Sequence, residues 1–144
     1  MLLKFKMKSL MFHCKNYEIN LTGISNRPRN IKPEKVKEKN QVCKDCIVAL
    51  ITVEKQDNIN KCLPELKKEI LKFSKEVKSD KIVILPFAHL SNNLADSEIS
   101  INFLNVLEDE LKNEIPVLRS HFGSDKRLLL DIYAHKGNAR FREF

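Results

Sequence analysis

The stretch Lys81-Ile-Val-Ile-Leu-Pro-Phe-Ala-His-Leu-Ser-Asn-Asn-Leu-Ala95 decides the fold. It opens as a buried strand, stops at Pro86 and runs into a short polar loop carrying one histidine, His89. A helix then starts at Asp96-Ser97-Glu98, with the Glu98 carboxylate at its positive end. A loop just past the carboxyl end of a hydrophobic strand is where α/β proteins build ligand sites. His89 and Ser91 are therefore candidate site residues, and the loop's backbone N–H groups are free to point at a substrate.

Working outward, Cys46-Ile-Val-Ala-Leu-Ile-Thr-Val53 is apolar and β-branched, as a central strand covered on both faces must be. Between the two strands a helix reaches about Lys78, with Asp57 as its cap. Its residues Leu63, Leu66, Ile70, Phe73 and Val77 fall at three- and four-residue spacings and form one buried stripe. Pro64 then belongs to the first turn, or the helix begins later than Asp57. A second helix runs from about Ser97 to Lys112, burying Ile101, Leu104, Val106 or Leu107, and Leu111. Nearer the N-terminus, Ser9 to His13 predicts a first buried strand, and Tyr17 to Thr22, alternating with period two, its hairpin partner. Gly23 to Asn40 is polar, contains Pro28 and Pro33, and predicts a loop with at most a turn or two of helix at Pro33 to Lys39. Pro116 to Ser120 and Arg127 to Tyr133 predict two last strands joined by His121 to Lys126. The order ββ, β-α-β-α, ββ predicts a single α/β domain over residues 1–144, a mixed β-sheet with two main helices packed on it.

Of the 144 residues, 42% are apolar and 31% charged, with only three glycines and five prolines, which fits one globular unit with a real core. No apolar run approaches the roughly 20 residues needed to cross a bilayer. The opening Met1-Leu-Leu-Lys-Phe-Lys-Met-Lys is too short and too broken by lysine to be a secretory signal, so a cytoplasmic protein without a membrane partner is expected. The net charge of +7 favours a polyanionic partner, nucleic acid foremost, although AT-rich genomes also yield lysine- and asparagine-rich chains. Four cysteines (Cys14, Cys43, Cys46 and Cys62) include one Cys43-Lys-Asp-Cys46 pair and no second C-x-x-C to complete a zinc site. Cys46 opens a strand in this reading, the wrong place for a redox motif, so reduced structural thiols are expected, with no metal and no cofactor. A metal-binding regulator built on Cys43 and Cys46 is the weaker rival.

Two loops can carry chemistry, Pro86 to Asn93 and His121-Phe-Gly-Ser-Asp-Lys126. Each lies at a strand end, so both can converge on one crevice and supply His89, Ser91, His121, Asp125 and Lys126. A lysine in a crevice holds phosphate or positions a water and loses basicity when desolvated. Histidine bonds a carbonyl or shuttles a proton near neutral pH. Against this, isolated loop histidines are usually satisfied surface groups, and Lys126 beside Arg127 is equally explained as solvated charge. The chain has no G-x-x-x-x-G-K, G-x-G-x-x-G, G-x-S-x-G or H-E-x-x-H motif, and no Ser-His-Asp triad can be picked out.

In order along the chain come Phe12-His13 followed by Tyr17-Glu18, then Thr52-Val-Glu-Lys55, then Pro86-Phe-Ala-His-Leu-Ser91, then Phe122-Gly-Ser-Asp-Lys126. Over nearly the whole chain this resembles the archaeal-type editing domain of threonyl-tRNA synthetase. The resemblance implies a D-aminoacyl-tRNA deacylase-like fold, a homodimer, and hydrolysis of serine wrongly attached to threonine tRNA. Serine lacks one methyl group of threonine, worth only about 1–3 kcal/mol in an apolar pocket, so a second, smaller pocket is needed to remove the error. It further implies that backbone groups at Pro86, Ala88 and His89 hold the amino acid, with Ser91 in the same block. Lys126 would help position the attacking water. The 2′-hydroxyl of the terminal adenosine would take part in the chemistry itself, which would account for the missing triad.

The chain departs from the family pattern at three places. Ser124-Asp125 stands where two aromatics are common; Asp125 either pairs with Lys126 or accepts a proton itself, but cannot stack. Lys136-Gly-Asn-Ala-Arg-Phe-Arg-Glu143 replaces a Lys-Gly-His-Pro-Leu-Ala-Glu end, which leaves the family's glutamate unmatched. The chain stops at Phe144, short of any synthetase body, as a freestanding relative or an excised domain would. The expected function is an aminoacyl-tRNA deacylase acting in trans on the acceptor end of tRNA, with threonyl-tRNA synthetase as a further partner. The alternatives are a D-aminoacyl-tRNA deacylase and a non-catalytic tRNA- or synthetase-binding module.

Overall fold

Along the central strand and its continuation, Ile47, Ala49, Ile51 and Val53 face one apolar cluster while Cys46, Val48 and Leu50 face another, and all are buried. Alternation therefore makes two cores, one on each side of the sheet. The computed structural model describes residues 6–25 and 31–144; Pro28 and most of the Met1 to Lys8 opening lie outside the described residues. The elements are β1 (Lys8–Ile24), β2 (Asn40–Thr52), α1 (Ile59–Val77), β3 (Ile82–Pro86), α2 (Ser97–Lys112), β4 (Val117–Arg119), β5 (Ser124–Ile132) and β6 (Ala139–Glu143). The sheet runs β4-β3-β2-β1-β5, with β6 also on β1. β2, β3 and β4 are mutually parallel, and β1 is antiparallel to β2, β5 and β6. This is the expected mixed sheet with two helices. Among the described residues no helix is long and apolar enough to cross a membrane.

Both helices lie on the first face. Leu66, Ile70 and Phe73 of α1 and Phe103, Leu104, Leu107 and Leu111 of α2 meet Ile47, Ala49, Ile82 and Ile84 there, all of them buried. The second face is covered by the sheet itself. Gln41, at the start of β2, donates from Nε2 to the Arg119 carbonyl of β4 at 3.0 Å. In register, Arg119 is level with Ala49, eight residues further along β2, or roughly 26 Å away in a flat sheet. Only a sheet rolled over on itself brings the two together. The roll is built at one level: β1 has an irregular register between Cys14 and Asn16, and opposite it Asp45 sits at φ 47. The extra residue switches which side chains point inward, so Leu10, Phe12 and Cys14 before it share a cluster with Tyr17 and Ile19 after it.

Several expectations fail for identifiable reasons. Ser9 to His13 and Tyr17 to Thr22 are two parts of one long strand; the polar Lys15-Asn16 break is the bulge, not a turn. Cys46 lies inside β2, not at its start. Asn58, not Asp57, is the N-terminal boundary of α1. Asp57 instead accepts from the backbone N–H groups of Met7 at 2.8 Å and Glu54 at 2.7 Å, clamping the turn before the helix. The helix does start later than Asp57, the second placement left open for Pro64, which stands beyond the first turn where its missing N–H leaves only the carbonyl of exposed Asn60 without a helical donor. Val106 is exposed and Leu107 buried. Residues 33–39 form a loop, as expected, whereas β5 already includes Ser124 to Lys126 and β6 was not foreseen.

Gly123 is the one glycine whose place is sterically dictated. Its φ is +86, and a Cβ there would lie 2.6 Å from Pro33 Cα. Gly123→Ala is expected to destabilise by more than the roughly 1–2 kcal/mol of left-handed strain, because Pro33 backbone must also retreat. A thermal melt alongside Gly137→Ala checks it; Gly137 has φ +81 but nothing within 4 Å, so it isolates the strain from the clash.

Candidate active site

The parallel strands β2 and β3 both end at a cleft of about 570 Å³. Ile51 to Val53 and Pro86 to His89 form one wall, Phe122 to Lys126 the facing wall, and Ser97 and Ser100 of α2 the floor. The loop that leaves β3 is held at both ends. Phe87 donates its N–H to the Ile51 carbonyl at 3.0 Å, and Thr52 Oγ1 donates to the Phe87 carbonyl. Further on, Lys55 N–H bonds the Asn93 carbonyl at 3.1 Å and Ala95 N–H the Val53 carbonyl at 3.0 Å. Between these anchors Ala88 and His89 stand exposed, and among the described residues their backbone N–H groups have no acceptor. His89 rests edge-on against Phe87, with ring centroids 5.2 Å apart.

Lys126 faces them from β5 with its ammonium mostly buried, donating to the His121 carbonyl. Burial, and then the nearby Arg119 charge, lower it from the ordinary 10.5 to about 8, with Glu34 pulling the other way. Arg119 is itself gripped by Glu34 in a two-pronged pair, Nη1 to Oε1 at 2.7 Å and Nη2 to Oε2 at 2.9 Å. Glu34 also accepts from Phe122 N–H at 2.9 Å and, through its carbonyl, bonds His121 Nε2 at 2.6 Å. One residue thus neutralises the cation behind Lys126 and clamps the Phe122-Gly123 turn.

A sequence model of the archaea-specific editing domain of threonyl-tRNA synthetase matches residues 7–143. The chain belongs to this family. The threonine–tRNA ligase editing subunit of Saccharolobus solfataricus is 36% identical over 127 residues, 88% of this chain and 31% of that protein. The threonine–tRNA ligase of Staphylothermus marinus is 33% identical over 72% of this chain and 17% of its own length. The editing domain therefore spans less than a third of these curated relatives. Among solved structures, a c-Myc DNA unwinding element binding protein matches with TM-score 0.68 at 12% identity, over 95% of this chain and 98% of that one. A probable eukaryotic D-amino acid tRNA deacylase matches with TM-score 0.61 at 11% identity, over 97% and 100%. The D-aminoacyl-tRNA deacylase-like fold is thereby established.

Of the residues singled out in this editing domain, Pro86, Ala88, His89, Asp125 and Lys126 line the one cleft. Ser91 does not: its hydroxyl donates to the buried Glu54 carboxylate at 2.5 Å and accepts from Asn93 N–H at 2.9 Å, fixing the loop from beneath. His121 is turned toward Glu34. Asp125 makes no ion pair with Lys126: Asp125 is exposed, and the Lys126 ammonium is turned to the His121 carbonyl. His13, part of the family-like pattern, sits elsewhere, bonded to Asp45 at 3.1 Å and His135 at 2.8 Å. Sequence reasoning passed over Glu34, Arg119, Thr52 and Glu54; the Val-Glu-Lys block that holds Glu54 was its one visible signal. Cys43 and Cys46 lie on β2, and among the described residues no three His, Cys, Asp or Glu side chains converge as metal ligands.

Ser91→Ala is expected to cost roughly 1–3 kcal/mol, since it strips a partner from a buried carboxylate. Hydrogen exchange at residues 88–93 should accelerate more than exchange in β3, because Asn93 N–H loses its acceptor as well.

Proposed function

We propose that this chain hydrolyses the ester of a mischarged tRNA, seryl-tRNA(Thr) first among the substrates, acting in trans. The carrying observation is the pairing of acceptor-free N–H groups at Ala88 and His89 with a desolvated lysine across one cleft. The N–H groups bond the carbonyl or hydroxyl of a small aminoacyl group. Lys126 has donors to spare beyond the His121 carbonyl, and these hold the attacking water or the oxyanion that forms. The terminal 2′-hydroxyl relays the proton, accepting one from the attacking water as it gives its own to the departing 3′ oxygen. Homodimerisation and docking on threonyl-tRNA synthetase belong to the same proposal, with light scattering and co-purification as their tests.

The deciding experiment measures deacylation of Ser-tRNA(Thr), Thr-tRNA(Thr) and a D-aminoacyl-tRNA by the purified chain, with His89→Ala and Lys126→Ala beside it. Preferential loss of the serine ester supports the reading. Preference for the D-ester moves the chain to the chemistry of its fold relative. Tight tRNA binding with every ester intact makes it a binding module.

A further inference from the structure

The segment that supplies Glu34 runs on as Lys35-Val-Lys-Glu-Lys39 before joining β2 at Asn40. Its start is fixed to the cleft: Ile31 lines it, Lys32 N–H bonds Ser97 Oγ at 3.1 Å, and Glu34 N–H bonds the Phe122 carbonyl at 3.1 Å. Its end is fixed beside β1, where the Lys39 carbonyl accepts from Leu21 N–H at 2.8 Å. The arm is thus non-helical, tethered at both ends, and leads away from the cleft mouth over at most about 30 Å.

Lys32, Lys35, Lys37 and Lys39 are all exposed on it, and none makes an ion pair with a described residue. Glu34, the acid that would offset them, is already committed to Arg119. Glu38 alone remains, so the arm presents a surplus of positive charge along a fixed track. Val36 is its single exposed large apolar side chain, too little to seat on a lipid surface or in an apolar groove.

We infer that residues 32–39 form a phosphate-binding arm that grips the RNA strand whose 3′ end enters the cleft. The inference rests on the deacylase reading for its direction, since it takes the esterified end of the strand to lie at Ala88 and Lys126. Phosphates leaving the cleft then meet Lys32 first and Lys35, Lys37 and Lys39 after it. Contacts of this kind add affinity without base specificity and weaken with salt in proportion to the phosphates engaged.

The test compares the wild type with the triple variant Lys35→Gln, Lys37→Gln, Lys39→Gln on two esters, charged full-length tRNA and the minimal 3′-aminoacyl-adenosine. The arm predicts a KM for charged tRNA raised about tenfold or more with kcat within about twofold, and the minimal ester cleaved as before. It also predicts that the slope of log affinity for uncharged tRNA against log salt shrinks by about 2, three contacts at about 0.7 each. An unchanged KM and slope overturn the arm, and so does an unchanged slope joined to lost retention on anionic lipid vesicles. Failure of the wild type to cleave either ester sinks the deacylase reading instead, and the salt slope with uncharged tRNA still decides the arm.

Discussion

On the proposed mechanism Lys126→Ala is expected to slow ester cleavage by roughly 10²–10³-fold, the usual loss when one preorganised donor to a developing oxyanion is removed. In the proposed reaction the working form is the ammonium, because a tetrahedral intermediate gathers negative charge. Wild-type activity is therefore expected to fall as pH passes upward through about 8, where this buried group titrates. Lys126→Arg, if it retains any rate, lacks that descending limb, since a guanidinium stays charged. A rate that rises through the same window would assign the work to the neutral amine. Stability moves the other way. The folded chain loses this proton near 8 and the unfolded chain near the ordinary 10.5, so the unfolded state binds more protons in between and stability climbs with pH across that window. Lys126→Met removes that climb and gives a higher Tm than wild type at neutral pH, a gain that vanishes above about 10.5. Paired melts and rate profiles from pH 6 to 11 read both effects.

The largest loss of stability is expected from Glu34→Ala. The Arg119 side chain is 9% exposed and Glu34's 20%, so the variant strands a buried guanidinium. Removing one partner of such a pair costs roughly 3–5 kcal/mol. Urea unfolding measures it, and Glu34→Gln, which keeps one acceptor oxygen for Arg119 and Phe122 N–H but neither the second acceptor nor the charge, should lose less. The same substitution reaches the chemistry. Glu34 is the group that holds Lys126 up against burial and Arg119, so in Glu34→Gln the descending limb of the pH profile shifts below 8. A limb left in place would show that Arg119 and Glu34 shape the wall without tuning the lysine.

Local patterns were legible in the chain and distant pairings were not. The apolar run before Pro86 and the helix stripes at Leu66, Ile70 and Phe73 announce themselves within a few residues. β1 misled because Lys15-Asn16 has the polarity of a turn, while its real role as a bulge depends on strands over a hundred residues away. β6 carries Ala-Arg-Phe-Arg-Glu, mostly exposed, with no alternation to betray it. In the site, His89 and Lys126 could be named from their motif blocks. Glu34 could not, since its partner Arg119 is 85 positions distant and neither residue stands out in its own neighbourhood. Ser91 was misassigned because a hydroxyl in a ligand loop and a hydroxyl holding that loop leave the same letter in the chain.

The walls of the cleft come from residues 31, 51–53, 86–89 and 122–126, and among the described residues β5, which holds 124–126, pairs with β1 alone. A chain still emerging from the ribosome can thus complete both helices and the donor loop while the opposite wall is absent. On the proposed deacylase reading, a chain without β5 lacks Lys126 and cleaves no ester.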